Sequence, residues 1–155
     1  MASATLTDLL ASAGGLWSEP STFEATGVHH GYRRVVVVNG SRLLLDQFGP
    51  LLEQFAPVAE AWLSWLDPGG FVVEHIDPGP HRERWQIPFT DDGALLHDGV
   101  RVVHEVGVPF RVNHQEWHSV DSPGPGRPRI SLVVDRDVIV SPHRSPLRLR
   151  TPGGD

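Results

Sequence analysis

Short apolar runs, separated by glycine, proline or aspartate, fill the chain after residue 70. They read FVVEH, RWQIPF, RVVHEVG, PFRVN, RISLVVD and DVIVS, beginning at residues 71, 84, 101, 109, 129 and 137. Each run has the length of a strand, and no helical pattern lies between them. Such spacing is typical of an antiparallel β-sandwich or barrel, because short turns join neighbouring strands. We therefore predict a mainly β body.

The part of the chain before this body is predicted to contain helices. TLTDLLASA (5–13) fits a short helix, and YRRVVVVNG (32–40) fits a strand that enters a tight turn at Asn-Gly. Apolar residues between 51 and 66 follow a helical spacing, so we predict an amphipathic helix there. Pro57 marks either its start or the junction of two short helices. On this interpretation Trp62 and Trp65 pack in the core, and the N-terminal helices pack on the β body.

Length and composition limit the classes of protein that this chain can belong to. With 155 residues we expect a single domain over 1–155, with a core at about 30–140 and a polar tail at 141–155. The chain has no cysteine, so any metal must be held by His, Asp, Glu or water. A net charge of −6 argues against nucleic acid as a partner. The sequence has no membrane-spanning run and no secretion signal, so we expect a cytoplasmic protein with no membrane partner. Its oligomeric state is left open.

His75 and Asp77 form the strongest candidate site. Residues two apart on a strand point to the same face, so both side chains could bind one ion. Two histidines and one carboxylate, with open positions on the metal, are the ligands of non-haem Fe(II) oxygenases. His114 or His118 could be the third ligand, from a later strand. Arg129, at the head of the strand RISLVVD, could hold a carboxylate of 2-oxoglutarate as a bidentate fork.

Three segments, LDPGGFVVEHID, RERWQIPF and HSVDSPGPGRPRISLVVD, resemble the aspartyl/asparaginyl β-hydroxylase family of Fe(II)/2-oxoglutarate-dependent oxygenases. The match covers roughly residues 50 to 138. It implies a double-stranded β-helix, which is a jelly-roll or cupin-like barrel. It also implies Fe(II) as cofactor, 2-oxoglutarate and O₂ as cosubstrates, and hydroxylation of an amino acid, a peptide or a peptide-derived natural product.

The resemblance also assigns roles to individual residues. By position, the metal ligands are His75, Asp77 and His118. The residues that bind the cosubstrate are Arg129 and Gln86, where Gln86 replaces a histidine found in many family members; Arg127 is a less favoured substitute for Arg129. Apart from the resemblance, we expect Arg84, Trp85, Trp117 and His30 to contact the substrate or support the site, with His29 and Tyr32 as further candidates for the mouth of the site.

A second hypothesis uses the same fold without 2-oxoglutarate. Cupin-type metal enzymes and binding modules share the jelly roll and often use more histidines, so HHG (29–31) with His75 and His118 could serve such a site. Arg129 distinguishes the two hypotheses, because a cupin of that kind needs no arginine for 2-oxoglutarate. Outside both candidate sites, the histidines at 97, 104 and 143 are expected to have structural or solvent roles.

Overall fold

The computed structural model describes residues 14–38, 40, 42–77, 82–91 and 93–137. Its elements in chain order are α1 (Phe23–Thr26), β1 (His29–Val36), α2 (Arg42–Leu52), a 3-10 helix (Glu53–Phe55), β2 (Val58–His75), β3 (Arg82–Pro88), β4 (Leu95–His97), β5 (Val100–Arg101), β6 (Phe110–Val112), β7 (His118–Val120) and β8 (Arg129–Asp137). The predicted helix at 5–13, the tail at 141–155 and most of DVIVS lie outside the described residues. No helix in the described part is long and apolar enough to cross a membrane.

All eight strands join one curled antiparallel sheet in the order β5-β4-β7-β2-β8-β3-β6, with β1 paired to β2. The 18-residue strand β2 is the centre of this sheet. Its first half pairs with β8 and its end pairs with β7, while β1 runs along both parts. The predicted mainly β architecture is confirmed. Because β2 pairs with both β7 and β8, the metal-ligand candidates near the end of β2 and on β7 lie on the same sheet as Arg129 of β8.

A glycine pair allows β2 to bend where the sequence suggested a turn. The sequence DPGG (67–70) lies within β2, and the pairing with β1 changes register at this level. Gly69 has φ +77°, a conformation that side chains with a Cβ rarely adopt. A Cβ on Gly70 would lie 2.7 Å from the carbonyl oxygen of His30. The segment is therefore a bulge inside one long strand.

The hydrophobic core lies between α2 and one face of the sheet. Leu44, Phe48 and Leu52 follow one another at four-residue intervals along α2 and are buried. They belong to one cluster with Ala61, Leu63, Leu132 and Val134 from β2 and β8, among others. The opposite face of the same strands lines a cavity with both apolar and polar side chains.

The prediction of a helix at 51–66 is wrong for the residues after Phe55. The helix runs from Arg42 to Leu52, the 3-10 helix ends at Phe55, and β2 begins at Val58. Pro57 has no backbone N–H and disfavours a helical conformation of the residue before it, which explains the stop. Since Ala61 and Leu63 face the core while Trp62 and Leu66 face the cavity, the apolar spacing resembled that of a helix.

One of the predicted strand segments, RVVHEVG, is mostly loop or turn. In RVVHEVG only the first residue is in a strand, because β5 covers Val100–Arg101 and residues 102–105 are irregular. A tight turn joins β4 to β5, with positive φ at Asp98 and Gly99. Two successive residues with positive φ are typical of the tight turn of a hairpin.

Candidate metal centre and its cavity

His75, Asp77 and His118 lie together at the junction of β2 and β7. Their candidate ligand atoms are within 4.8 Å of one another. His75 and His118 are directly paired across the two strands, and their ring centroids are 4.2 Å apart. One oxygen of Asp77 lies 3.3 Å from Nε2 of His75, and the other lies 3.5 Å from Nε2 of His118. The structure therefore brings together the three residues predicted as metal ligands.

The hydrogen bonds of the two imidazoles suit metal binding. Nδ1 of His75 is 2.7 Å from the carbonyl oxygen of Val73, and Nδ1 of His118 is 2.9 Å from that of Glu116. Since a carbonyl accepts hydrogen bonds, Nδ1 of each ring carries a proton, and in the neutral form of the ring Nε2 keeps a lone pair. Both Nε2 atoms face the carboxylate of Asp77. A proton or a cation is therefore needed between each Nε2 lone pair and the carboxylate oxygen that it faces. A carbonyl partner on Nδ1 is also common for histidines that bind metals through Nε2.

Asp77 is held as an ionised carboxylate. Burial raises its pKa, but hydrogen bonds with His118 and His75 and the charge of Arg84 lower it more, so the pKa lies well below its ordinary value. The hydrogen bond that protonated His75 donates to Asp77 raises the pKa of His75, and this effect outweighs that of burial. Asp77 also donates its backbone N–H to the carbonyl oxygen of His114 at 3.0 Å. The alternative ligand His114 thus supports the site by its backbone, and its side chain is not in the ligand group.

Arg84 on β3 connects Asp77 to a buried carboxylate on β8. Its guanidinium donates to Asp77, and it makes a bidentate pair with Asp135 at 2.7 and 2.9 Å. The guanidinium carbon also lies 5.1 Å from the centre of the Trp62 ring. Desolvation lowers the pKa of Arg84, but the two carboxylates raise it above its ordinary value. Arg84 is therefore a fixed part of the centre.

A cavity of about 380 Å³ adjoins the three ligand candidates. Its walls come from β1, β2, β3, β4, β7 and β8, and besides the ligand candidates and Arg84 they include His29, Tyr32, Arg34, Glu60, Trp62, Ser64, Leu66, Val72, Gln86, Leu95, Val120, Arg129, Ser131 and Val133. This volume is at the lower end of ligand pockets, which favours small ligands.

Arg129 is a buried cation in this cavity. It is 4% exposed, and its only hydrogen bond within the described residues is a long one of 3.5 Å from Nη2 to Oε1 of Gln86. Its Nη1 is buried with no partner among the described residues. Burial lowers its pKa to about 10, so it stays charged at neutral pH. Gln86 and Arg129, both predicted to bind a cosubstrate, thus lie side by side in one cavity.

Three residues predicted for the substrate or the support of the site lie elsewhere. Trp85 faces away from the cavity and packs against Phe55, because it alternates with Arg84 and Gln86 along β3. Trp117 is 51% exposed and does not line the cavity. His30 points outward from β1 and stacks on Phe71.

Several other side chains of the cavity or of the centre beside it were missed or misjudged from the sequence. Trp62 lines the cavity, although its assignment to a helix placed it in the core. It donates from Nε1 to the hydroxyl of Tyr32 at 3.0 Å. Asp135 and Ser131 had no assigned role. The strand RISLVVD contained a signal for both, because Arg129, Ser131, Val133 and Asp135 are two residues apart and share one face.

The histidines expected to be unrelated to iron do lie away from the centre where they are described. Nε2 of His97 is 2.8 Å from a carboxylate oxygen of Glu116, in a partly exposed group that includes Asp98. His104 stacks on Phe110. His143 lies outside the described residues.

Comparisons with solved structures place the fold among the cupins. The chain is similar to a cupin-2 domain protein from Rhodospirillum rubrum, with a TM-score of 0.51, 12% sequence identity, and coverage of 76% of this chain and 67% of that chain. It is also similar to a predicted oxalate decarboxylase from Thermotoga maritima, with a TM-score of 0.50, 15% identity, and coverage of 76% and 89%. KdgF from a Halomonas species has a TM-score of 0.47, 15% identity, and coverage of 78% and 88%. Such low identities show the fold alone.

No protein-family model matches the sequence, and no curated protein matches it. None of the three solved proteins named above is described as a 2-oxoglutarate oxygenase. The class of protein that fold and site define is thus a cupin-fold protein with a group of residues able to hold a metal.

Proposed function

We propose that this protein is a non-haem Fe(II)- and 2-oxoglutarate-dependent oxygenase that hydroxylates an amino acid, a peptide or a peptide-derived natural product. The observation that carries the proposal is the buried guanidinium of Arg129, which has no carboxylate partner among the described residues and lies in the cavity that adjoins the metal-ligand candidates. A buried cation without a partner is costly, and an anionic ligand would remove that cost.

The chemistry of 2-oxoglutarate suits both Arg129 and the metal-ligand candidates. It carries a carboxylate that Arg129 could bind as a bidentate fork, while its other end could reach the metal. Ser131 follows Arg129 on the same face of β8, and Gln86 lies beside it on β3. A hydroxyl and an amide there could add hydrogen bonds to the same carboxylate.

The donor set of the metal centre suits Fe(II). His75, Asp77 and His118 would hold the ion with two nitrogens and one oxygen, which leaves positions for the cosubstrate and O₂. When bound, the iron supplies oxidation of a C–H bond coupled to oxidative decarboxylation of 2-oxoglutarate to succinate. The part of this chain is to fix the ligands, orient the cosubstrate by Arg129, and exclude water from the cavity.

The shape and charge of the cavity support a small, polar substrate. Its volume of about 380 Å³ must hold both the cosubstrate and the reacting part of the substrate. Two exposed residues of opposite charge, Arg34 and Glu60, line it. A zwitterionic amino acid or a peptide end would match both charges.

One observation favours a second candidate, a cupin-type metal enzyme or binding module that does not use 2-oxoglutarate. His29 also lines the cavity, and its Nδ1 is 2.7 Å from the hydroxyl of Ser21, which leaves Nε2 available. Burial and the charge of His75 lower the pKa of His29, so it is neutral near pH 7. This hypothesis assigns no role to the charge of Arg129.

Succinate formation distinguishes the two hypotheses. The purified protein would be incubated with Fe(II), 2-oxoglutarate, ascorbate and O₂, with and without a panel of amino acids and short peptides. We expect succinate in the wild type and its loss in His118→Ala and Arg129→Gln. Arg127→Gln is the matched control, because Arg127 is exposed and does not line the cavity. Full succinate formation in Arg129→Gln would contradict the proposal.

A further inference from the structure

The orientation of Asp77 depends on a contact that reaches across the sheet. Asp77 lies two residues beyond the end of β2, so strand pairing does not fix its side chain. One of its oxygens faces Nε2 of His75, while the other accepts a hydrogen bond from Nη1 of Arg84. The contact with Arg84 therefore helps to hold the Asp77 carboxylate in the orientation that faces His75 and His118.

Arg84 is in turn fixed by Asp135. Nε and Nη2 of Arg84 donate to the two oxygens of Asp135 at 2.7 and 2.9 Å, the parallel geometry in which an arginine fork binds a carboxylate most specifically. Asp135 is 3% exposed, and Arg84 is directly opposite it in the pairing of β3 with β8. The two residues form a buried pair held by adjacent strands.

The charges of this pair matter for a metal. Arg84 alone would place a cation beside the ion and would compete with it for Asp77. Asp135 supplies a second carboxylate, so the guanidinium is compensated without drawing fully on Asp77. Supporting groups of this kind orient metal ligands and affect the affinity of the site.

We propose that Asp135 is a positioning residue of the metal centre, which acts through Arg84 to orient Asp77 and to keep Arg84 from competing with the metal. The inference uses the metal centre of the proposed function but does not depend on 2-oxoglutarate. It assigns a role to Asp135, and it makes Arg84 a support of the metal ligand and not a contact of the substrate.

Anaerobic titration with Co²⁺ tests the proposal, with the visible band of the bound ion as the signal. We expect Asp135→Asn to weaken Co²⁺ binding by about 10-fold to 100-fold and to shift the band. The double variant Asp135→Asn/Arg84→Met should bind Co²⁺ more tightly than Asp135→Asn, because the competing cation is gone. A merely structural role of Asp135 predicts no such recovery.

Glu83→Gln is the matched control. Glu83 precedes Arg84 on β3, and its carboxylate contacts Trp85, Arg111 and Arg136, away from the metal centre. We expect its Co²⁺ affinity to stay within about twofold of the wild type.

Further variants keep the test decisive if Asp135→Asn does not fold. Arg84→Lys retains the charge but loses the bidentate fork, and we expect about 10-fold weaker Co²⁺ binding with thermal unfolding near that of the wild type. Wild-type affinity and band in a folded Asp135→Asn or Arg84→Lys variant would overturn the proposal. A wild type that binds no Co²⁺ would overturn it as well. A wild type that binds Co²⁺ but does not respond to 2-oxoglutarate would contradict the proposed oxygenase alone.

Discussion

Replacing Arg129 by methionine should stabilise the ligand-free protein. Burial lowers the pKa of Arg129 to about 10. At 1.36 kcal/mol per pKa unit, the difference from an unperturbed arginine corresponds to about 3 kcal/mol of unfavourable charge burial. Because the folded pKa is the lower one, this cost is fully present at neutral pH and is relieved only as the pH rises through about 10. Methionine fills a similar volume without the charge.

We therefore expect the free energy of unfolding of ligand-free Arg129→Met to exceed that of the wild type by about 1 to 3 kcal/mol. For a chain of this size each kcal/mol corresponds to about 2 to 4 °C in Tm. Urea denaturation at pH 7 measures the difference directly. Arg127→Gln is the control for loss of a positive charge nearby, and its stability should stay within about 0.5 kcal/mol of the wild type.

Ligand should reverse this order. With Mn²⁺ in place of iron, 2-oxoglutarate at about 1,000 times its Kd should stabilise the wild type by about 4.1 kcal/mol. Arg129→Met should gain almost nothing from 2-oxoglutarate, since the buried cation is missing. If Arg129→Met were less stable than the ligand-free wild type by more than about 1 kcal/mol and still responded to 2-oxoglutarate, the reasoning about Arg129 would be refuted.

The remaining predictions concern the metal ligands and the core. His118→Ala should weaken binding of Fe(II) by at least about 100-fold in anaerobic titrations, whereas His104→Ala, outside the cavity, should leave it unchanged; equal losses would contradict the assigned centre. The pKa of Asp77 is lowered in the folded state, so its stabilising contribution is present above its unfolded value near 3.9 and is lost as the pH falls below it. Metal-free wild type should therefore lose stability more steeply than Asp77→Asn between about pH 5 and pH 2, as measured by urea denaturation, and parallel curves would refute this. Trp85→Ala should lower the free energy of unfolding by about 3 kcal/mol because Trp85 packs on the core, but it should not change the Kd for 2-oxoglutarate; a weaker Kd at unchanged stability would place Trp85 in the site after all.

The β architecture could be predicted from the sequence because turn residues separate most of its strands. Strands β2 and β8 contain FVVEH and RISLVVD, and β3 contains all of RWQIPF except Phe89. The long strand β2 could not be predicted in the same way. Its first half has apolar residues on both faces, since one face packs on α2 and the other lines the cavity, and a strand buried on both faces loses its period of two.

The residues of the candidate centre could be selected from their chemistry, but their contacts could not. His75 and Asp77 are near in the sequence, whereas His118 reaches them only through the pairing of β7 with the end of β2. The link from Arg84 to Asp135 depends on the register of β3 with β8, which no local pattern specifies. Trp85 lies on the opposite face of β3 from Arg84 and Gln86, and the alternation of side chains along the strand RWQIP already indicates this.

Anaerobic titration with Fe(II) and 2-oxoglutarate tests the central claim most directly, through the weak visible charge-transfer band of the chelated complex. The account predicts that the band appears in the wild type, persists in Arg127→Gln and is absent from Arg129→Gln. Binding of Fe(II) at His75, Asp77 and His118 without any band from 2-oxoglutarate would contradict the oxygenase and favour a cupin-type metal protein.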